Sequence, residues 1–88
     1  MVTFVFQATL EKTDQKLFSP PQEWPVILRA GEWVQVDNEL DTATPVSDVW
    51  HWMHLDKHCI VVELQDLAPA EFEALEKTWS NWPPYLAR

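Results

Sequence analysis

Along the first ten residues, apolar and polar side chains alternate. Val2, Phe4, Phe6, Ala8 and Leu10 fall on one side of an extended chain, and Thr3, Val5, Gln7 and Thr9 fall on the other. A period of two over this length predicts a strand with one clean apolar face. The polar run from Glu11 to Lys16 then leads into Ser19-Pro20-Pro21-Gln22, where two prolines remove amide donors and predict an extended loop. Next, Trp24 to Arg29 and Glu32 to Asp37 read as two strands joined at Ala30-Gly31, the chain's one glycine standing where a tight turn needs positive φ. In that hairpin Arg29 and Glu32 face each other across the turn. Residues 38–47 are acids, threonines and one proline with few large apolar side chains, the composition of a solvated loop.

The segment from Asp48 to Leu64 admits two readings. As a helix, it is capped by Thr44 with Pro45 in the first turn; Val46, Val49, Trp50 and Met53 form a stripe, and His51, His54 and His58 share the opposite face. As a hairpin it turns at Asp56-Lys57, which sets Leu55 against His58, His54 against Cys59, Trp52 against Val61 and Trp50 against Glu63. The hairpin is preferred, because β-branched and aromatic residues dominate. Its register also collects Val49, Met53, Leu55, Ile60, Val62 and Leu64 on one face. After it, Pro69 suits a first helical position, Phe72, Leu75 and Trp79 share a stripe, and Pro83-Pro84 stop the helix.

Together these elements predict a single α+β domain over residues 1–88. About five mainly antiparallel strands (2–10, 24–29, 32–37, 48–55 and 58–65) form a twisted sheet or open barrel, and one C-terminal amphipathic helix (69–80) packs on it. Of the six tryptophans, Trp33 and Trp79 are expected in the core. Trp50 and Trp52 face away from the aliphatic side of their own hairpin, in company with Val61. Both faces of that hairpin are then apolar, and one helix covers only one of them. Sheet closure, a second subunit, a ligand or a partner must cover the other.

Composition narrows what that cover is. Six Lys and Arg against 14 Asp and Glu give a net charge of −8, which repels nucleic-acid backbones and anionic membrane surfaces. The opening Met-Val-Thr-Phe-Val-Phe lacks a basic flank and a long apolar run, and no stretch is apolar enough to span a bilayer, so the expected location is cytoplasmic. Cys59 is the only cysteine, which excludes an internal disulfide.

Three constellations carry candidate chemistry. His51, His54, His58 and Cys59 are of metal-ligating type, but the hairpin puts His51 and His58 on one face and His54 and Cys59 on the other, so no metal or cofactor is expected. His54 beside Cys59 has the makings of a thiolate–imidazole dyad, without oxyanion-hole glycines or a third member. Asp37, Glu39 and Asp41 alternate like calcium ligands, with Thr42 where the turn glycine belongs.

The expected function is therefore that of a non-enzymatic protein-binding module, an inhibitor or adaptor, acting through Trp50, Trp52, His54, Glu63, Asp37, Glu39 and Asp41. Its partner is a protein with basic and apolar surface, or a second copy in a homodimer. Another class of reading is a small-ligand site in which the tryptophans stack on a sugar or base.

Overall fold

A computed structural model describes residues 2–36, 43–54 and 57–84, for His54 the backbone alone. The strands are β1 (Val2–Thr9), β2 (Lys16–Phe18), β3 (Gln22–Trp24), β4 (Trp33–Val34), β5 (Thr44–His54) and β6 (Lys57–Leu64), followed by α1 (Pro69–Glu76). They form one sheet in the order β2-β1-β6-β5-β4, with β3 also beside β1, curled into a half-barrel. The α+β architecture with a C-terminal helix is thus as the hydrophobic pattern predicts. No helix among the described residues is long and apolar enough to cross a membrane.

Strand β1 is the centre of the fold. Its C-terminal half pairs antiparallel with β2 (Gln7 opposite Phe18) and its N-terminal half with β3 (Phe4 opposite Gln22), while β6 runs parallel along its other edge (Val5 opposite Val61). The stretch around Ser19-Pro20-Pro21 is therefore a break within what is otherwise one outer strand, where the loop reading missed the pairing on both sides. Proline has no N–H to give the ladder, so it sits in the interruption. Ser19 bridges it: its N–H donates to the Phe6 carbonyl at 3.0 Å, and its Oγ accepts the Phe6 N–H at 2.8 Å. Ser19 is fully buried. Ser19→Ala should therefore leave the Phe6 amide without a partner and cost about 1–3 kcal/mol, read as a lower urea midpoint at unchanged slope.

The hairpin expected over 24–29 and 32–37 does not form. Gly31 does reverse the chain at φ 92°, and the Glu32 carboxylate accepts the Arg29 N–H while the Glu32 N–H donates to the Arg29 carbonyl. The flanking arms part, however: β3 joins β1, and β4 joins β5 with Trp33 opposite Pro45. Long-range partners outcompete the local turn because they bury more apolar surface. Thr44 to Ser47, read as loop, belong to β5, and Asp37, Glu39 and Asp41 lie outside the described residues.

Residues 44–54 and 57–64 are strands, which removes the helical reading of the tryptophan-rich segment. Their register differs by two residues from the expected one: Trp50 stands opposite Val61, Trp52 opposite Cys59 and His54 opposite Lys57. A slip of two preserves which residues share a face but changes every neighbour. Lys57, expected in the turn, belongs to β6, and Leu55 and Asp56 lie outside the described residues. At the other end Ser47 is an extra residue in β5, a bulge between Val46 and Asp48.

The inner face holds the main core. Phe4, Phe6 and Ala8 of β1 meet Ile60, Val62 and Leu64 of β6, and Leu17 and Val34 join them from opposite ends of the strand order, as the curl requires. Helix α1 closes this face with Phe72 and Leu75, and Trp79 follows one turn later, stacked on Phe6 at 6.1 Å. The helix ends at Glu76, short of the expected Ser80, which instead bridges to Phe18 on the outer edge of β2 by two backbone hydrogen bonds. Trp79 is core as expected. Trp33 is 66% exposed, contrary to expectation, because on the two-residue strand β4 it is Val34 that turns inward.

Candidate functional site

The outer face of the half-barrel carries a second apolar cluster. Across β5, β6 and β1 the register lines up Trp50, Val61 and Val5 in one row, with Cys59 opposite Trp52 in the next. Val5, Cys59 and Val61 are buried, and Trp50 and Trp52, themselves half-buried, pack against them. No helix among the described residues lies on this side, since the apolar stripe of α1 belongs to the inner core.

Polar groups fix the tryptophans in place. The Trp50 indole Nε1–H donates to Oε1 of Glu63 at 3.1 Å, and the Gln7 amide donates to the same oxygen at 2.9 Å. The Glu63 carboxylate thus holds one ring edge while the ring body covers Val61, the usual way for a tryptophan to satisfy its one donor beside an apolar surface. Asp48, opposite Glu63 in the register, is exposed and accepts the N–H of Val49.

Beside Trp52 the surface dips into a groove of about 340 Å³. Val5 and Cys59 form its floor, Trp52 one wall, and Pro21 and Pro84 the other; Thr3 and Lys57 supply the polar rim. Pro84 reaches this groove because the chain leaves the inner face after Trp79 and passes the β2 edge at Ser80.

Of the residues singled out from sequence, Trp50, Trp52, Glu63 and Cys59 do come together on this face. In the register His54 stands opposite Lys57 and Cys59 opposite Trp52, not opposite each other as the expected pairing had them. Burial pushes the Cys59 thiol up from its ordinary pKa, and its Sγ–H donates to the Ile60 carbonyl at 3.6 Å. At neutral pH it is a protonated, apolar floor group rather than a nucleophile. Among the described residues no three His, Cys, Asp or Glu side chains converge on a metal-sized site. His51 and His58 do meet, with Nδ1 and Nε2 2.7 Å apart, on the face opposite Trp50 and Trp52.

Sequence reasoning missed Pro21 and Pro84 as groove walls and Gln7 as a support for Glu63. All three are far from the hairpin in the chain, and only the parallel pairing of β1 with β6 and the path after Trp79 bring them there. When the chain is compared with models of protein families, with curated proteins and with solved structures, none matches it.

Proposed function

We propose that this chain is a non-enzymatic protein-binding module whose outer sheet face receives an apolar anchor of its partner in the groove beside Trp52. The observation that supports this reading most is the second apolar cluster itself. Val5, Cys59 and Val61 are buried like core residues, yet the cover over them is two half-buried tryptophans bordered by a groove. Half-exposed aromatic side chains over a rigid sheet are what interface hot spots are made of. Asp48 and Glu63 at the Trp50 end, together with the net charge of −8, favour a partner with basic surface around its apolar anchor. The same charge opposes self-association, so a heterologous partner is preferred over a homodimer.

A small-ligand reading has one observation of its own. The groove volume lies at the lower end of the range of ligand pockets, and Lys57 and Thr3 offer orienting polar groups at its rim.

Retention of host proteins on the immobilised chain tests the proposal through Trp52→Ala, with Trp33→Ala as a matched loss of an exposed indole. One protein held by the parent and by Trp33→Ala should be lost about tenfold or more with Trp52→Ala, and should elute early when salt is raised. Retention indifferent to Trp52, or lost equally with Trp33→Ala, would sink the proposal. Melting curves of both variants identify a loss that is merely unfolding.

A further inference from the structure

On the face of the β5–β6 hairpin opposite Trp50 and Trp52, His51 stands across from Ile60, and His58 across from Met53. The two histidines are thus diagonal neighbours on paired strands. Their rings lie parallel (9°) with centroids 5.0 Å apart, and His51 Nδ1 meets His58 Nε2 at 2.7 Å. A contact this short needs one nitrogen to donate and the other to accept, so at least one imidazole is neutral and its lone pair points at the other ring. Both side chains are exposed, leaving the outer side of the pair open to water.

From this geometry we infer that His51 and His58 form a two-imidazole site for a divalent transition-metal ion, with copper(II) bound most tightly. A metal bonded to two imidazole nitrogens at about 2.0–2.1 Å, with an angle between right-angled and tetrahedral, sets those nitrogens about 2.9–3.4 Å apart. The observed 2.7 Å reaches that range when the two rings open by a few tenths of an ångström. In the exchange, the ring that donates the shared hydrogen bond moves its N–H to its other nitrogen by way of solvent, so that both lone pairs at the contact turn to the ion with no net loss of a proton. Imidazole suits copper, nickel and zinc alike, and copper(II) heads the order of intrinsic affinity. Water fills the remaining positions, and the acidic surface draws cations towards the chain. The hairpin supplies the preorganisation, because its register already holds the two side chains side by side.

The test is a titration of the whole chain with copper(II) in a non-coordinating buffer, on a Cys59→Ser background so that no thiol binds or reduces the ion. Calorimetry should give one ion per chain, and pulsed electron paramagnetic resonance should show two imidazole nitrogens on it. His51→Ala and His58→Ala should each weaken binding by about tenfold or more, whereas His54→Ala should leave it unchanged. Copper should also raise the melting temperature of the parent, and should not raise that of the double variant His51→Ala/His58→Ala. Undiminished affinity in that double variant, one ion per two chains, or an equal loss with His54→Ala would each overturn the assignment. Because both histidines are exposed, the metal-free variants should melt like the parent, which keeps a loss of binding distinct from a loss of fold.

Discussion

Phe6→Ala should destabilise the domain by about 3–5 kcal/mol, the ordinary cost of removing a fully buried phenylalanine and leaving a cavity. Phe6 is buried in the middle of β1, and its ring meets Phe4 edge-on at 5.1 Å, Trp24 at 6.0 Å and, stacked, Trp79 at 6.1 Å. It therefore joins the first strand, the outer strand β3 and the segment just after α1, and one truncation loosens all three. A domain of this size has roughly 4–13 kcal/mol of total stability, so the variant forfeits a large share of it. The melting temperature should drop by at least about 12 °C. Trp33→Ala removes a larger ring from an exposed position and should move stability by no more than about 0.5 kcal/mol. Calorimetric melting of the two variants side by side decides the matter: an equal loss would mean that the inner face is not the core.

Val61→Asp should cost about 4 kcal/mol or more at pH 8, and the effect tests the outer cluster rather than the inner one. Val61 has no exposed surface, with Trp50 opposite it on β5 and Val5 opposite it on β1. A carboxylate there loses its hydration and faces apolar neighbours, so the folded state favours its protonated form. The sign of the pH dependence follows. The folded pKa of the new carboxyl lies above its unfolded value of about 3.9, so ionisation favours the unfolded chain and stability falls as the pH rises past that value. Below about pH 4 both states hold the proton, and the penalty shrinks to that of a neutral buried carboxyl. Urea unfolding at pH 4 and pH 8 should show this widening gap from the parent. A variant within about 1 kcal/mol of the parent at pH 8 would show that Trp50 and Trp52 leave Val61 open to water.

Both results bear on how the proposed interface is built. If Val61 is core-like while Trp52→Ala leaves the fold intact, the outer face consists of a rigid apolar floor and a half-exposed aromatic layer that contributes little to folding. A surface of that kind keeps its shape when a partner arrives, so little ordering entropy is lost on binding.

Much of the fold was legible because it rests on local periodicity. The alternation from Val2 to Leu10 reports a strand whose even side chains all belong to the inner core, and the 3.6-residue stripe of Phe72 and Leu75 reports the helix that closes it. The division of the tryptophan-rich hairpin into two apolar faces was legible for the same reason. Side chains alternate strictly along a strand, so even a register wrong by two residues leaves Trp50, Trp52, Cys59 and Val61 on one side and His51 and His58 on the other. Alternation also contained the answer for Trp33: Val34 and Val36 share one side of that segment and Trp33 the other, a signal that its size obscured.

Periodicity determines which way a side chain points; it carries no information about which distant strand lies beside it. The separation of β3 from β4, the parallel pairing of β1 with β6, the strand hidden on either side of Ser19-Pro20-Pro21 and the passage of Pro84 to the groove are all choices among partners. Such choices depend on how much apolar surface each long-range pairing buries and on which backbone groups it satisfies, quantities that exist only once the whole chain is assembled. The sequence by itself thus determined a two-faced sheet with one face closed by a helix. The tertiary structure decided what meets on each face: Val5 and Val61 under Trp50, a groove beside Trp52, and His51 against His58.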